Sequence, residues 1–143
     1  MEFRAGDRVY IPELSEWDQE NYEYGWDYGM DSYMGKEATV EMVSQREYIY
    51  LDIDSGNYCW SQNHLQLITP TNRPKLKAGD NIIVGKPNDI QKNNMDGDWT
   101  WDDDDYIGQK YTITHIDGVM AYVDDHTAFN ECHLHLLLEY NAF

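Results

Sequence analysis

Carboxylates are the chemically versatile groups of this sequence, and they are concentrated in two segments. Residues 13–31 contain seven acids and no lysine or arginine, and residues 89–105 contain seven acids with one lysine. The first set is Glu13, Glu16, Asp18, Glu20, Glu23, Asp27 and Asp31. The second set is Asp89, Asp96, Asp98, Asp102, Asp103, Asp104 and Asp105. Clustered carboxylates can hold a cation, transfer protons or bind a basic surface, so the surrounding residues must discriminate among these uses.

The two segments that come nearest to a known metal-binding pattern do not match it. A calcium loop that begins at Asp96 would need glycine at its sixth position and glutamate at its twelfth, but those residues are Trp101 and Ile107. Zinc needs three or four converging ligands, and in the segment Cys132–His135 an extended chain points the cysteine away from both histidines. The sequence therefore predicts no metal and no cofactor.

Catalysis and direct nucleic-acid binding are also disfavoured. The sequence lacks the nucleophile elbow, the phosphate-binding loop, the dinucleotide fingerprint and the zinc-protease motif. Acid-base catalysis by two carboxyl groups needs an apolar pocket that raises the pKa of one of them, and exposed acids lack such a pocket. Ten lysines and arginines against 27 acids, a net charge of −17, would repel phosphate. We predict a protein that is not an enzyme and that does not bind nucleic acid directly.

No apolar run is long enough for a membrane span, and the N-terminus lacks a signal-peptide core. The two cysteines, Cys59 and Cys132, do not lie at matching positions and are expected to be free thiols. These features predict a cytoplasmic protein.

The sequence repeats itself over an interval of 73 residues, from Gly6 to Gly79. Ala5–Val9 returns as Ala78–Ile82, and His64–Leu67 returns as His133–Leu136 after a small slip. Residues written twice are expected to build the fold, because a repeated scaffold needs the same packing in each copy. We predict one copy at residues 1–68, a linker at 69–75 and a second copy at 76–143.

Alternating β-branched and aromatic residues predict strands in both copies, and no segment has a helical stripe. Turns are expected at Asp54–Asn57 and at Asp117-Gly118. The predicted strands are Arg8–Ile11, Glu37–Val43, Tyr48–Ile53, Tyr58–Ser61 and Leu65–Ile68, then Asn81–Val84, Tyr111–His115, Met120–Val123, Phe129–Glu131 and Leu134–Leu138. Five short strands per copy predict an all-β protein of two tandem SH3-like barrels.

The opening Gly6–Val9, followed by Trp17–Glu20, resembles the SH3-like domain of the Mind bomb type. The resemblance covers the first copy only, because the second copy has Pro87–Ile90 at the later motif. It implies a non-catalytic module that binds proteins.

Aromatic residues are interspersed with the acids. Trp26 and Trp99 recur at matching positions and are expected to pack each loop onto its own copy. The other aromatics of the acidic segments, which could form a binding hot spot, are Trp17, Tyr22, Tyr24, Tyr28 and Trp101.

We therefore predict that the acidic segments and their aromatics occupy a basic, nucleic-acid-binding surface of a partner protein and imitate nucleic acid locally. Small phage-encoded anti-defence inhibitors act in this way. The alternative is an SH3-like peptide-binding adaptor whose acidity serves only solubility.

Overall fold

The protein is described by a computed structural model that covers residues 2–95 and 105–137. The chain divides into a first unit that ends at Arg73 and a second that begins at Pro74. The first unit includes part of the predicted linker, because the Thr71 amide donates to Asp7 Oδ1 at 2.7 Å and the Arg4 guanidinium donates to the Arg73 carbonyl at 3.1 Å.

The first unit is built on one antiparallel sheet with the strand order β3-β2-β1-β4. Its strands are β1 (Arg8–Tyr10), β2 (Glu37–Val43), β3 (Ile49–Leu51) and β4 (Gln66–Thr69). Along β2, alternate residues are buried, as the two-residue period of a strand requires. The buried cluster beneath the sheet consists of Phe3, Val9, Ile11, Met30, Ala38, Val40, Ile49, Leu51, Trp60 and Leu65.

The second unit contains two antiparallel sheets, ordered β10-β5-β6 and β7-β8-β9. The strands are β5 (Asn81–Val84), β6 (Lys110–Thr112), β7 (His115–Asp117), β8 (Met120–Tyr122), β9 (Ala128–Asn130) and β10 (Leu134–Leu136). Gly118, at φ 58°, opens the two-residue turn between β7 and β8. The core is formed by Leu76, Ile82, Val84, Ile113, Ala121, Phe129 and Leu134.

Among the described residues, short helices interrupt the strands, including α1 (Glu16–Glu20), α2 (Asp89–Asn93) and 3-10 helices at Tyr28–Tyr33 and Glu131–His133. They depart from the prediction of no helix. Segments this short cannot display an amphipathic stripe, and their sequence signal is the cap instead. The Ser15 hydroxyl accepts from the Asp18 amide at the start of α1, and the Asn88 side chain accepts from the Gln91 amide at the start of α2. No helix in residues 2–95 or 105–137 is long and apolar enough to cross a membrane.

The all-β class is confirmed, with sheets that are open rather than closed barrels among the described residues. The SH3-like barrel stays a prediction. The predicted strand Tyr58–Ser61 is wrong, since only Trp60 forms a bridge there, to Ile49. The buried Asp54 carboxylate explains why: it accepts from the Tyr58 amide at 3.1 Å and from Trp60 Nε1 at 3.0 Å. These side-chain hydrogen bonds, and not a ladder of backbone hydrogen bonds, fix the conformation of the segment.

The predicted strand Tyr111–His115 is divided between β6 and β7. Thr114 lies at the break, where its amide donates to the Tyr122 carbonyl at 2.7 Å.

The sequence repeat is reproduced in hydrogen bonds. In the first unit the Arg4 amide donates to Asp7 Oδ2 at 2.8 Å, and in the second the Lys77 amide donates to Asp80 Oδ2 at 2.9 Å. Strand β1 pairs with β2 in the same register as β5 with β6, displaced by 73 positions. Gly6 and Gly79 both have φ 92°.

The glycine pair provides a stability test. Alanine at either position should cost about 1–2 kcal/mol, because the left-handed backbone strains an L side chain. At Gly79 a Cβ meets nothing within 4 Å, whereas at Gly6 it would lie 2.5 Å from Thr71 Oγ1. We expect Gly6→Ala to destabilise its unit by roughly 1 kcal/mol more than Gly79→Ala destabilises the other. Native-state hydrogen exchange at Val9 and Ile82 measures each unit separately, and equal losses would contradict the argument.

Candidate functional site

The acidic segment of the first unit lies on the surface. All seven of its acids are exposed: Glu13, Glu16, Asp18, Glu20, Glu23, Asp27 and Asp31. Two aromatics accompany them, Trp17 with 71% of its surface exposed and Tyr28 with 88%. Trp17 lies within α1, and Tyr28 begins the following 3-10 helix. The structure thus places charge and exposed aromatic surface on the same short segment.

The seven acids divide into two groups by their contacts. Asp27 caps the 3-10 helix by accepting from the Gly29 amide at 2.8 Å, and Asp31 accepts from Trp26 Nε1 at 2.7 Å. The Ser15 hydroxyl donates to Asp18 Oδ2 at 3.1 Å. In contrast, the side chains of Glu13, Glu16 and Glu20 make no hydrogen bond to any other described residue. Their charges are available to an external partner.

Tyr22 turns inward and anchors the segment. Its hydroxyl accepts from the Ser61 amide at 2.8 Å and lies 2.9 Å from His64 Nδ1. His64 Nε2 lies 2.6 Å from the Pro12 carbonyl, which can only accept, so Nε2 carries the proton and Nδ1 accepts from Tyr22. The tyrosine ring also packs edge-on against Trp26, with centroids 5.1 Å apart. We call these bonds the Tyr22–His64 network.

Burial shapes the protonation of this network. It raises the pKa of the Tyr22 hydroxyl well above its usual range, and it lowers the pKa of His64 below its usual value. Both groups are therefore neutral at pH 7. Tyr22, predicted as a contact residue, acts first as a structural bridge.

Glu23 and Tyr24 lie at the end of the network. Glu23 Oε2 accepts from the Ser61 hydroxyl at 2.8 Å and from the Asn63 amide group at 3.3 Å. Tyr24 packs edge-on against Tyr48 at 4.5 Å. Burial, followed by the neighbouring charge of Glu23, raises the pKa of Tyr24 to about 12. Half-buried Tyr24 offers less free surface than Trp17 or Tyr28.

A groove of about 330 Å³ opens between α1 and the segment that precedes β4. We call it the α1 groove, and it is lined by Leu14, Asp18, Asn21, Tyr22, Glu23, Ser61, Asn63 and His64. Sequence reasoning identified three of these residues, namely Asp18, Tyr22 and Glu23. It missed the contributors Ser61, Asn63 and His64 because they follow some forty positions later, although the repetition of His64 as His133 signalled a structural task.

The second acidic segment is described only in part. The predicted contact residues that lie outside the described ranges are Asp96, Asp98, Trp101, Asp102, Asp103 and Asp104. Asp105 is described and exposed, as is Asp89 at the start of α2.

His133, one of the candidate zinc ligands, has a different role. His133 Nδ1 donates to the Gly85 carbonyl at 3.0 Å, and Gly85 is the repeat equivalent of Pro12, which His64 contacts. Both histidines therefore bond the same backbone position of their own unit. In the described parts of the chain, no three histidine, cysteine or carboxylate side chains converge on a point that could hold a metal ion.

No protein-family model matches this chain, and no curated protein shows significant sequence similarity to it. Arguments about function therefore depend on the chemistry of the site.

The anchoring role of Tyr22 can be tested with Tyr22→Phe. Loss of the hydroxyl leaves the Ser61 amide and His64 Nδ1 without their partner, which should cost about 2 kcal/mol of unfolding free energy. Tyr28→Phe is the matched control, because the Tyr28 side chain is almost fully exposed, and it should change stability by less than about 0.5 kcal/mol. Chemical denaturation measures both, and hydrogen exchange at Ser61 should accelerate only in Tyr22→Phe.

The lowered pKa of His64 predicts a pH dependence of stability. Below about pH 6.5, the usual value for histidine, the unfolded chain takes up a proton that the folded protein still excludes. The free energy of unfolding should therefore fall as pH decreases from about 6.5 towards the folded-state pKa, by at most about 1.4 kcal/mol per pH unit. His64→Gln should remove this contribution. Denaturation of both proteins between pH 7.5 and 5 measures it, and identical slopes would refute it.

Proposed function

We propose that this protein is a cytoplasmic, non-enzymatic binding protein whose acidic surface occupies a basic, nucleic-acid-binding surface of a partner protein. The observation that carries the proposal is the arrangement on α1, where exposed Trp17 is flanked by the free carboxylates of Glu16 and Glu20. We refer to these three residues as the α1 surface. In its most concrete form, the protein is an inhibitor that competes with nucleic acid for the partner.

Electrostatic complementarity supports this proposal. Residues 13–31 carry seven carboxylates and no basic residue, so their field is not neutralised within the segment. Such a field accelerates encounter with a positively charged protein and excludes acidic ones. Trp17 adds apolar contact area to this charge, because its rigid indole can stack beneath an arginine guanidinium of the partner.

Rigidity of the segment also supports it. Binding costs free energy when loops must become ordered. The Tyr22–His64 network ties the acidic segment to Ser61 and to the Pro12 carbonyl before any partner arrives. The acids are thus presented on a pre-organised surface.

The presence of a groove suggests a second candidate function, a peptide-binding adaptor, but the lining of the α1 groove does not match that function well. Grooves that bind proline-rich peptides are lined with aromatic side chains, whereas the α1 groove has Tyr22 as its only phenol or indole and is otherwise mostly polar. We rank the adaptor second for this reason.

The experiment compares capture of partner proteins from a host-cell lysate by the unmodified chain, by Glu16→Gln/Glu20→Gln and by Trp17→Ala. Asp117→Asn/Asp125→Asn is the matched control, because it removes the same charge from exposed positions in the second unit. We expect a basic nucleic-acid-handling protein that high salt or added duplex DNA displaces. With that purified partner, affinity should fall about 3- to 10-fold in the glutamine pair and at least 10-fold in Trp17→Ala.

A partner that all variants retain equally at high salt would contradict the inhibitor proposal and support the adaptor. A basic partner that added nucleic acid fails to displace would contradict the competitive form of the proposal.

A further inference from the structure

We propose that the α1 groove receives a single arginine side chain from the basic partner, an inference that rests on the proposed function and specifies its recognition. Pockets that bury small ligands usually begin near 300 Å³. At about 330 Å³, the groove is large enough to admit one long side chain.

The groove offers carboxylates that are oriented but not neutralised. Glu23 is held by Ser61 and Asn63 through Oε2, and Asp18 is held by the Ser15 hydroxyl through Oδ2. Among the described residues, neither carboxylate forms an ion pair with a lysine or arginine. Each carboxylate therefore lies beside a concave surface without a basic partner among the described residues, which favours binding of a cation.

The remaining lining favours arginine over lysine. The Asn21 amide nitrogen donates to the Trp17 carbonyl at 2.8 Å and that of Asn63 donates to Glu23, which leaves both amide oxygens as acceptors. The groove lining thus combines two carboxylates with two amide oxygens, and a planar guanidinium with five N–H donors can bond more of these acceptors than a compact ammonium ion can.

The second unit does not repeat two of the residues that line the groove. At the positions 73 residues after Asp18 and Tyr22, the second unit has Gln91 and Met95. Both are buried, at 9% and 4% exposure, and Gln91 Oε1 accepts from the Asn88 amide to complete a helix cap. The second unit thus uses these positions for its own packing, while the first unit lines a groove with them. A binding role predicts this difference at Asp18, whereas Tyr22 also anchors the first unit through the Tyr22–His64 network.

The test titrates the isotope-labelled full chain with Nα-acetyl-arginine methylamide and follows backbone amide signals by NMR. The corresponding lysine and citrulline compounds are the comparisons, since citrulline keeps the shape of arginine without its charge. We expect saturable shifts at Glu23, Ser61 and Asn63 with the arginine compound, at least threefold weaker apparent affinity for the lysine compound and no saturable shift with the citrulline compound.

The variant Asp18→Asn/Glu23→Gln should lower the affinity for the arginine compound at least tenfold, because the amides preserve the shape of the groove and remove its charge. Asp117→Asn/Asp125→Asn, with an equal change in net charge, should change the affinity less than twofold. If the double variant fails to fold, the single variant Glu23→Gln takes its place, and the comparison of arginine with citrulline needs no variant.

Equal shifts with arginine and citrulline compounds, no saturable shift at the groove, or equal weakening by the control pair would each overturn the inference. Its failure is distinguishable from failure of the proposed function. If Asp18→Asn/Glu23→Gln still captures a basic partner with unchanged affinity and salt dependence, the groove inference fails and the proposed function stands. If the arginine compound binds as expected but no basic partner is captured, the groove is shown to bind an arginine side chain and the proposed function fails.

Discussion

The acidic segment of the first unit is held by one partly buried chain of hydrogen bonds, which runs from the Ser61 amide through the Tyr22 hydroxyl and His64 to the Pro12 carbonyl. Residues 13–31 repel one another electrostatically, and a segment of like charges favours an extended, solvated chain. The network opposes this tendency from within, because every buried polar atom in it has a partner and opening it would leave several unsatisfied. The acids can therefore remain exposed, and none of them forms an ion pair with a described lysine or arginine, which is the condition for binding a basic surface.

The repeat separates this functional arrangement from the scaffold that supports it. Both units share the bond from a backbone amide to a repeated turn carboxylate, at Asp7 and Asp80, and both place a buried histidine against an equivalent carbonyl. The units diverge at α1 and α2. There the first unit exposes Asp18, and the second buries Gln91 in its own cap. The same backbone plan thus supports an open groove in one unit and internal packing at the matching positions in the other.

Much of the strand pattern could be read from the sequence. Strands β2 and β5 have the predicted bounds, Glu37–Val43 and Asn81–Val84. A strand that is buried on one face alternates apolar and polar residues, and this pattern can be read from the local sequence. The helices α1 and α2 were missed, since five residues are too few for a stripe. The error at Tyr58–Ser61 has a different cause. Its residues favour a strand locally, but the buried Asp54 carboxylate captures their donors.

For the candidate site, the sequence by itself determined which residues are charged, that no base lies among residues 13–31, and that aromatics are interspersed with the acids. These are properties of composition and order, which need no folding to be read. Only the tertiary structure decided that Tyr22 turns inward while Trp17 stays exposed, and that Asn63 and His64 complete the α1 groove. The reason is that the burial of a side chain depends on contacts between residues distant in the chain, and no local pattern records those contacts.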